Sequence, residues 1–231
     1  MIKNFLKQKL LLFITVFLLF VFVFITASVL IFDIKQIGES MTFVGLATLN
    51  EGIFNTLGQS KAFSVITDCM LVLSLLICGL MFGLGLYRLI KEKKLDLTLV
   101  IMGVFYIVLL ITYIVFDHIH INYAPILKDG NAKESFPSSH VLASVFILLS
   151  SVPIIGLNLK NKKIRITLVL VATFLSILMV VFRLLSGHHW FTDILGGEML
   201  ALFFVSLYAL IISSLDKKEI TIGQKNEEEL H

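Results

Sequence analysis

The stretch "VVFRLLSGHHWFTDILGG", Val180–Gly197, places an arginine, two histidines and an aspartate inside otherwise apolar sequence. Read as one continuous span, it would bury four polar groups in hydrocarbon. Read as a turn, it brings them to one membrane face. Ser186-Gly187 is a helix-breaking pair, so the turn is preferred. His189 and Asp193 then stand at i and i+4 at the start of the next helix, one above the other. A carboxylate there can accept the Nδ1 proton of His189, leaving Nε2 as a nucleophile. His188 has only Thr192 at that spacing. Arg183 ends the preceding helix and offers a planar fork for phosphate oxygens.

The rest of the chain fits this reading. It has 231 residues, 58% of them hydrophobic and only 15% charged, and its mean hydropathy is +0.97. Such a bias spread along the chain describes an integral membrane protein rather than a soluble domain with one anchor. Apolar runs long enough to span a bilayer are Leu10–Phe32, Cys69–Ile90, Leu97–Phe116, Ser138–Leu157, Ile166–Leu185 and His189–Leu215. The expected architecture is all-α and polytopic, six transmembrane helices in one domain over 1–215. The tail 216–231, ending "KNEEELH", reads as solvated, cytoplasmic and disordered. Cys69 and Cys78 fall on opposite faces of one helix, too badly aimed for a disulfide.

The cations set the expected orientation. Lys3, Lys7 and Lys9 precede the first run. Arg88, Lys91, Lys93 and Lys94 follow the second. Lys160, Lys162, Lys163 and Arg165 separate the fourth and fifth, and Lys217 and Lys218 follow the last. By the positive-inside rule both termini are cytoplasmic. Residues 33–68, 117–137 and the 185–189 turn then face outward, at a plasma membrane of bacterial type. Within the first outer loop, "MTFVGLATLNEGIF" is too short to span, and reads as an interfacial, re-entrant or covering helix.

Of the six histidines, His118, His120, His140, His188 and His189 fall in or beside these outer segments. In "AKESFPSSHVLA", Pro137 suits the first turn of a helix. Ser138, Ser139 and His140 would then offer free N–H groups at a helix N-terminus, an anion-binding arrangement. A serine here also serves as an ordinary cap. One descending and one ascending helix of about 30 Å return "PSSH" and "RLLSGHH" to the same face.

"PSSH" followed by Arg183, His189 and Asp193 in the pattern R-x5-H-x3-D resembles the second and third signature motifs of the type 2 phosphatidic acid phosphatase family. These are the lipid phosphate phosphatases, which share their site with vanadium haloperoxidases. The resemblance implies a metal-free, cofactor-free phosphatase acting at the outer face. His189 would attack phosphorus to form a phosphohistidine. His140 would protonate the leaving oxygen and then activate water. Asp193 would orient His189, and Arg183, Ser138 and Ser139 would bind phosphate. The implied substrate is a membrane lipid phosphate: phosphatidic acid, phosphatidylglycerophosphate or a polyprenyl diphosphate. Its partners are that lipid and the bilayer, with no nucleic acid.

The departure lies in the family's first motif, K-x6-R-P. If Pro125 is the matching proline, Ala124 stands for the arginine and Asp117 for the lysine. Each lost charge-assisted hydrogen bond contributes about 1.5–3 kcal/mol, so two together lower a rate roughly 10²–10⁴-fold. Lys128 and Lys133 in the same loop are candidate replacement cations, as are protonated His118 and His120. Two other readings follow. The chain can be a catalytically impaired relative that binds a lipid headgroup or a protein partner. Alternatively, Asp117, His118 and His120 can join the later histidines in a metal site.

Overall fold

The computed structural model describes residues 2–39, 41–91, 93, 95–127, 130–158, 161–215 and 221–222. Its helices are α1 (Ile2–Ile31), α2 (Ala47–Leu57), α3 (Lys61–Lys91), α4 (Leu97–His118), α5 (Ser139–Asn158), α6 (Lys162–Leu185) and α7 (Phe191–Ser214). Two small antiparallel ribbons accompany them. One pairs β1 (Lys35–Ile37) with β2 (Thr42–Val44), in the register Lys35 opposite Val44. The other pairs β3 (Leu95–Asp96) with β4 (Thr221–Ile222). Apart from Thr221 and Ile222, the tail 216–231 lies outside the described residues.

Helices α1, α3, α4, α6 and α7 are long and apolar enough to cross a membrane. The sixth expected span is α5, apolar over Ser139–Val152. Burial separates lipid-facing helices from central ones. Over its most apolar window α1 has a mean hydropathy of 3.1 with 11% of residues buried, whereas α7 has 44% buried. The core lies between α5 and α7. Val141, Leu142, Val145, Phe146 and Ile147 from α5 meet Ile194, Leu200, Ala201, Phe204 and Tyr208 from α7. Phe105 of α4 closes this layer with ring contacts to Phe146, Phe204 and Tyr208. α1 lies along α7, and Gln8 donates to the Ser213 carbonyl at 3.1 Å. The start of α1 and the end of α7 therefore share one end of the bundle.

Helix starts follow local chemistry. Asp96 accepts from the Thr98 amide at the start of α4 and pairs with Arg88 at the end of α3. Asn161 accepts from Lys163 and Ile164 amides to start α6. α7 begins later than expected. Its N-cap is Trp190, whose N–H donates to Asp193 Oδ2 at 3.0 Å, the reach-back half of a capping box. His189 thus precedes the helix instead of opening it. α5 likewise starts at Ser139, with Ser138 before it: the Ser138 carbonyl accepts from Leu142 N–H. Pro137 stands outside the first turn. α3 starts at Lys61 rather than near Cys69, because Ser64, Thr67 and Asp68 dilute its first two turns and hide them from hydropathy.

The apolar stretch 41–54 divides between β2 and α2 instead of forming one helix. Both pack over the start of α7 as a cap. Trp190 pins it: its ring is buried with Ile37, Val44 and Ala47, meets Phe54 edge-on at 5.5 Å, and donates from Nε1 to the Tyr123 carbonyl at 2.6 Å.

The cap-side ends of α5 and α7 approach to backbone distance. A Cβ on Gly197 would lie 2.6 Å from the Ser138 carbonyl oxygen, whereas one on Gly52 meets nothing within 4 Å. Gly197→Ala is therefore expected to cost about 1–3 kcal/mol and to lower the unfolding midpoint in detergent. Gly52→Ala, on the exposed face of α2, should not lower it.

Candidate active site

Four helix ends meet beneath the cap. Arg183, 6% exposed, ends α6, and His189 occupies the turn that follows. His140 stands in the first turn of α5. Thr67 and Asp68 come from the second turn of α3.

Hydrogen bonds fix the state of His189. Its Nδ1 lies 3.0 Å from the Ser135 carbonyl. A carbonyl only accepts, so Nδ1 carries the proton. Its Nε2 lies 3.3 Å from Arg183 Nη2. A guanidinium only donates, so Nε2 presents a lone pair. His189 is therefore a neutral imidazole with its basic nitrogen facing a cation. Burial pushes its pKa below the ordinary 6.5, and neighbouring Arg183 acts in the same direction.

The Ser135 carbonyl is the nearer of two groups that face His189 Nδ1. Asp193 Oδ2 is 3.8 Å from His189 Nδ1, beyond hydrogen-bond range. It is occupied by the Trp190 amide because His189 lies outside the helix. Asp193 Oδ1 accepts from Asn122 Nδ2 at 3.1 Å. The carboxylate is fully buried and remains a second, longer-range partner of the imidazole. Asn122 and Asn50 extend this into a buried network. Asn50 Nδ2 donates to Thr192 Oγ1 and to the Gly45 carbonyl, each at 2.9 Å. Gly45 N–H donates to Asn122 Oδ1 at 3.0 Å.

Across from His189, His140 Nε2 donates to Asp68 Oδ1 at 3.0 Å. The same oxygen is 3.6 Å from Arg183 Nη1, which also donates to Thr67 Oγ1 at 3.2 Å. Ser138 is fully buried and its hydroxyl has no partner among the described residues. Its amide is not free as expected: it donates to the Asp193 carbonyl at 2.9 Å. Ser139, in the first turn of α5, lines a small pocket with Ser135, Asp117, Glu134 and His189. Arg183, His140 and His189 converge around Asp68 as a cluster of donors suited to an oxyanion, with the unprotonated Nε2 of His189 beside it.

The remaining candidates lie apart. His118 bonds back to the Ile114 carbonyl through Nδ1. His120 pairs with Glu134 at 2.6 Å and stacks on Tyr123. Among the described residues no three His, Cys, Asp or Glu side chains converge as a metal site would require. Ala124 donates its N–H to the Lys133 carbonyl, and the Lys133 side chain is exposed. Lys128 lies outside the described residues. Thr67, Asp68, Ser135, Asn122 and Asn50 were not anticipated. Ser135 acts through its backbone, which no residue type advertises. Asp68 did carry a signal, a lone acid at the edge of an apolar run.

A family model described as "PAP2 superfamily" matches residues 93–216. Among solved structures the chain is similar to one described as the crystal structure of the first transmembrane PAP2 type phosphatidylglycerolphosphate phosphatase from Bacillus subtilis. The two share 17% sequence identity and a TM-score of 0.62, over 88% of this chain and 98% of that one. No curated protein matches the chain.

The pKa of His189 carries a stability consequence. As pH falls through 6.5, the unfolded imidazole takes up a proton that the folded one still refuses. Acidification therefore favours unfolding in the window below 6.5. The unfolding midpoint in detergent should fall between about pH 7 and pH 5, and His189→Gln should reduce that dependence.

Proposed function

The chain belongs to the PAP2 superfamily, and from that premise we propose that it is a multi-pass membrane phosphatase acting on a lipid phosphate monoester or diphosphate. The observation that carries this is the pairing of a neutral His189, its Nε2 bare, with Arg183 at 3.3 Å. A lone-pair nitrogen beside a guanidinium meets an electrophilic phosphorus whose oxygens the guanidinium holds.

In the proposed sequence His189 Nε2 attacks phosphorus. Negative charge builds on the equatorial oxygens and is stabilised by Arg183, the Ser138 hydroxyl and the first-turn amides of Ser139 and His140. His140 protonates the leaving lipid oxygen. The resulting phosphohistidine carries its positive charge on an imidazolium whose Nδ1–H bonds the Ser135 carbonyl, with Asp193 at 3.8 Å. His140, now deprotonated, takes a proton from water as that water attacks phosphorus. His189 Nε2 leaves and phosphate is released. None of these steps requires a metal or a cofactor.

Six spans, both termini cytoplasmic and the site outside are parts of the same proposal. Its support is the separation of charges. Lys7, Lys9, Arg88, Lys91, Lys162, Lys163 and Arg165 gather toward one end of the bundle and the cradle lies at the other. Asp68 and Lys91 alone are about 35 Å apart along α3. Phosphatidic acid, phosphatidylglycerophosphate and polyprenyl diphosphates all present a phosphate at such a face.

A second reading, an impaired relative that binds phosphate headgroups, is favoured by one observation. Asp117, at the position of a family lysine, lines the same pocket as His189. An anion there opposes a phosphate. The purified protein should release phosphate from at least one of these lipids in the presence of chelator, and His189→Ala should reduce release to background. Asp117→Lys should raise turnover by about tenfold, the worth of one charge-assisted hydrogen bond. Phosphate release equal in wild type and His189→Ala on every lipid, with headgroup binding retained, would favour the second reading.

A further inference from the structure

The phosphate cradle is already contacted by a carboxylate. Asp68 Oδ1 lies 3.0 Å from His140 Nε2 and 3.6 Å from Arg183 Nη1. These are the two groups assigned to the leaving oxygen and to the phosphate. One anionic oxygen therefore stands where a phosphate oxygen would stand, on the same donors. His140 has no other partner to exchange for it: its Nδ1 is buried without a hydrogen bond among the described residues. The Asp68 side chain is itself 58% exposed, free to swing into water when the position is taken.

The face of α3 that carries Asp68 continues into an apolar groove. Leu71, Leu75 and Cys78 follow it at i+3, i+7 and i+10, the spacing of one helical stripe. These three form the α3 wall of a groove of about 350 Å³ between α3, α4 and α5, which reaches His140. A ligand that displaces Asp68 therefore meets two different situations. A water-soluble phosphate must compete with the carboxylate by its charges alone. A phosphate on an acyl or prenyl chain also buries apolar surface in the groove, at about 25 cal/mol per Å².

We propose that Asp68 is a specificity-determining residue that occupies the phosphate position in the empty site and is displaced effectively only by a phosphate carried on an apolar chain. This rests on the reading of Arg183 and His140 as phosphate ligands. It implies that the site discriminates by what is attached to the phosphate and excludes free phosphate and soluble esters that bathe an outward face. Like charges brought together on one set of donors cost affinity directly, and only the chain-bearing ligand has a compensating term.

The probe is orthovanadate, a phosphate analogue without a chain, titrated calorimetrically into the full-length protein in detergent. Asp68→Ala should bind it about tenfold more tightly than wild type. Asp68→Asn should fall between them, because the amide oxygen can still accept from His140 without its charge. In parallel, the ratio of KM for p-nitrophenyl phosphate to KM for a long-chain phosphatidic acid should fall in Asp68→Ala. Unfolding midpoints confirm that all three proteins are folded. Vanadate binding that is unchanged or weaker in Asp68→Ala, or absent from all three proteins, overturns the proposal. Weaker binding would instead make Asp68 a positioning residue for His140. The binding arm needs no turnover. Tighter vanadate binding with no lipid phosphate released would sink the phosphatase reading and leave the role of Asp68 standing. The reverse result would do the opposite.

Discussion

The end of the molecule that holds the site depends on one buried carboxylate. Asp193 is fully buried, and an ionised carboxylate is tolerated there only when its oxygens are bonded. Its Oδ2 accepts from the Trp190 amide and its Oδ1 from Asn122, while its backbone carbonyl accepts from Ser138. One residue thereby joins the start of α7 to the loop before α5, and Asn122 extends the link to Gly45 of the cap. The histidine turn hangs from this junction. Because Asp193 is spent on the helix start, His189 takes its orientation from the Ser135 carbonyl, which the same junction holds in place. The carboxylate sets where the imidazole is more than which tautomer it adopts.

Around that junction the fold separates two kinds of stabilisation. Below it, α5 and α7 are held by apolar packing, with phenylalanine rings meeting edge to face. Above it, the cap is held by amide-to-amide bonds among Asn50, Asn122, Gly45 and Thr192, and by Trp190. Side-chain amides suit this place because each both donates and accepts, so a closed network leaves little buried polarity unsatisfied. The Arg183, His140 and His189 cluster lies at the boundary between the two.

The membrane helices were legible because hydropathy over a long window is a physical property of single residues. So was the pairing of "PSSH" with Arg183 and His189, since two helices of similar length must return to one face. The limits of legibility have equally physical causes. The start of α3 was missed because Ser64, Thr67 and Asp68 interrupt its apolar run, and Thr67 and Asp68 went with it. An i, i+4 spacing stacks Asp193 above His189 only where His189 is helical. A capping aspartate at the third helical position moves the boundary past it, so a spacing that is right in sequence becomes 3.8 Å in space. The role of Ser135 belongs to a carbonyl, and no residue-type pattern reports a carbonyl.

The placement of Trp190 has a consequence for biogenesis. The β1–β2 ribbon and α2 leave the ribosome early, yet the ring that fills their core belongs to Trp190, the N-cap of α7. While α3 to α6 are made and inserted, Ile37, Val44, Ala47 and Phe54 have no tryptophan to pack against, and Asn50 has no Thr192. The packing of the cap is therefore complete only after Trp190 and Thr192 have been made. A nascent chain short of Trp190 has neither a filled cap core nor the start of α7.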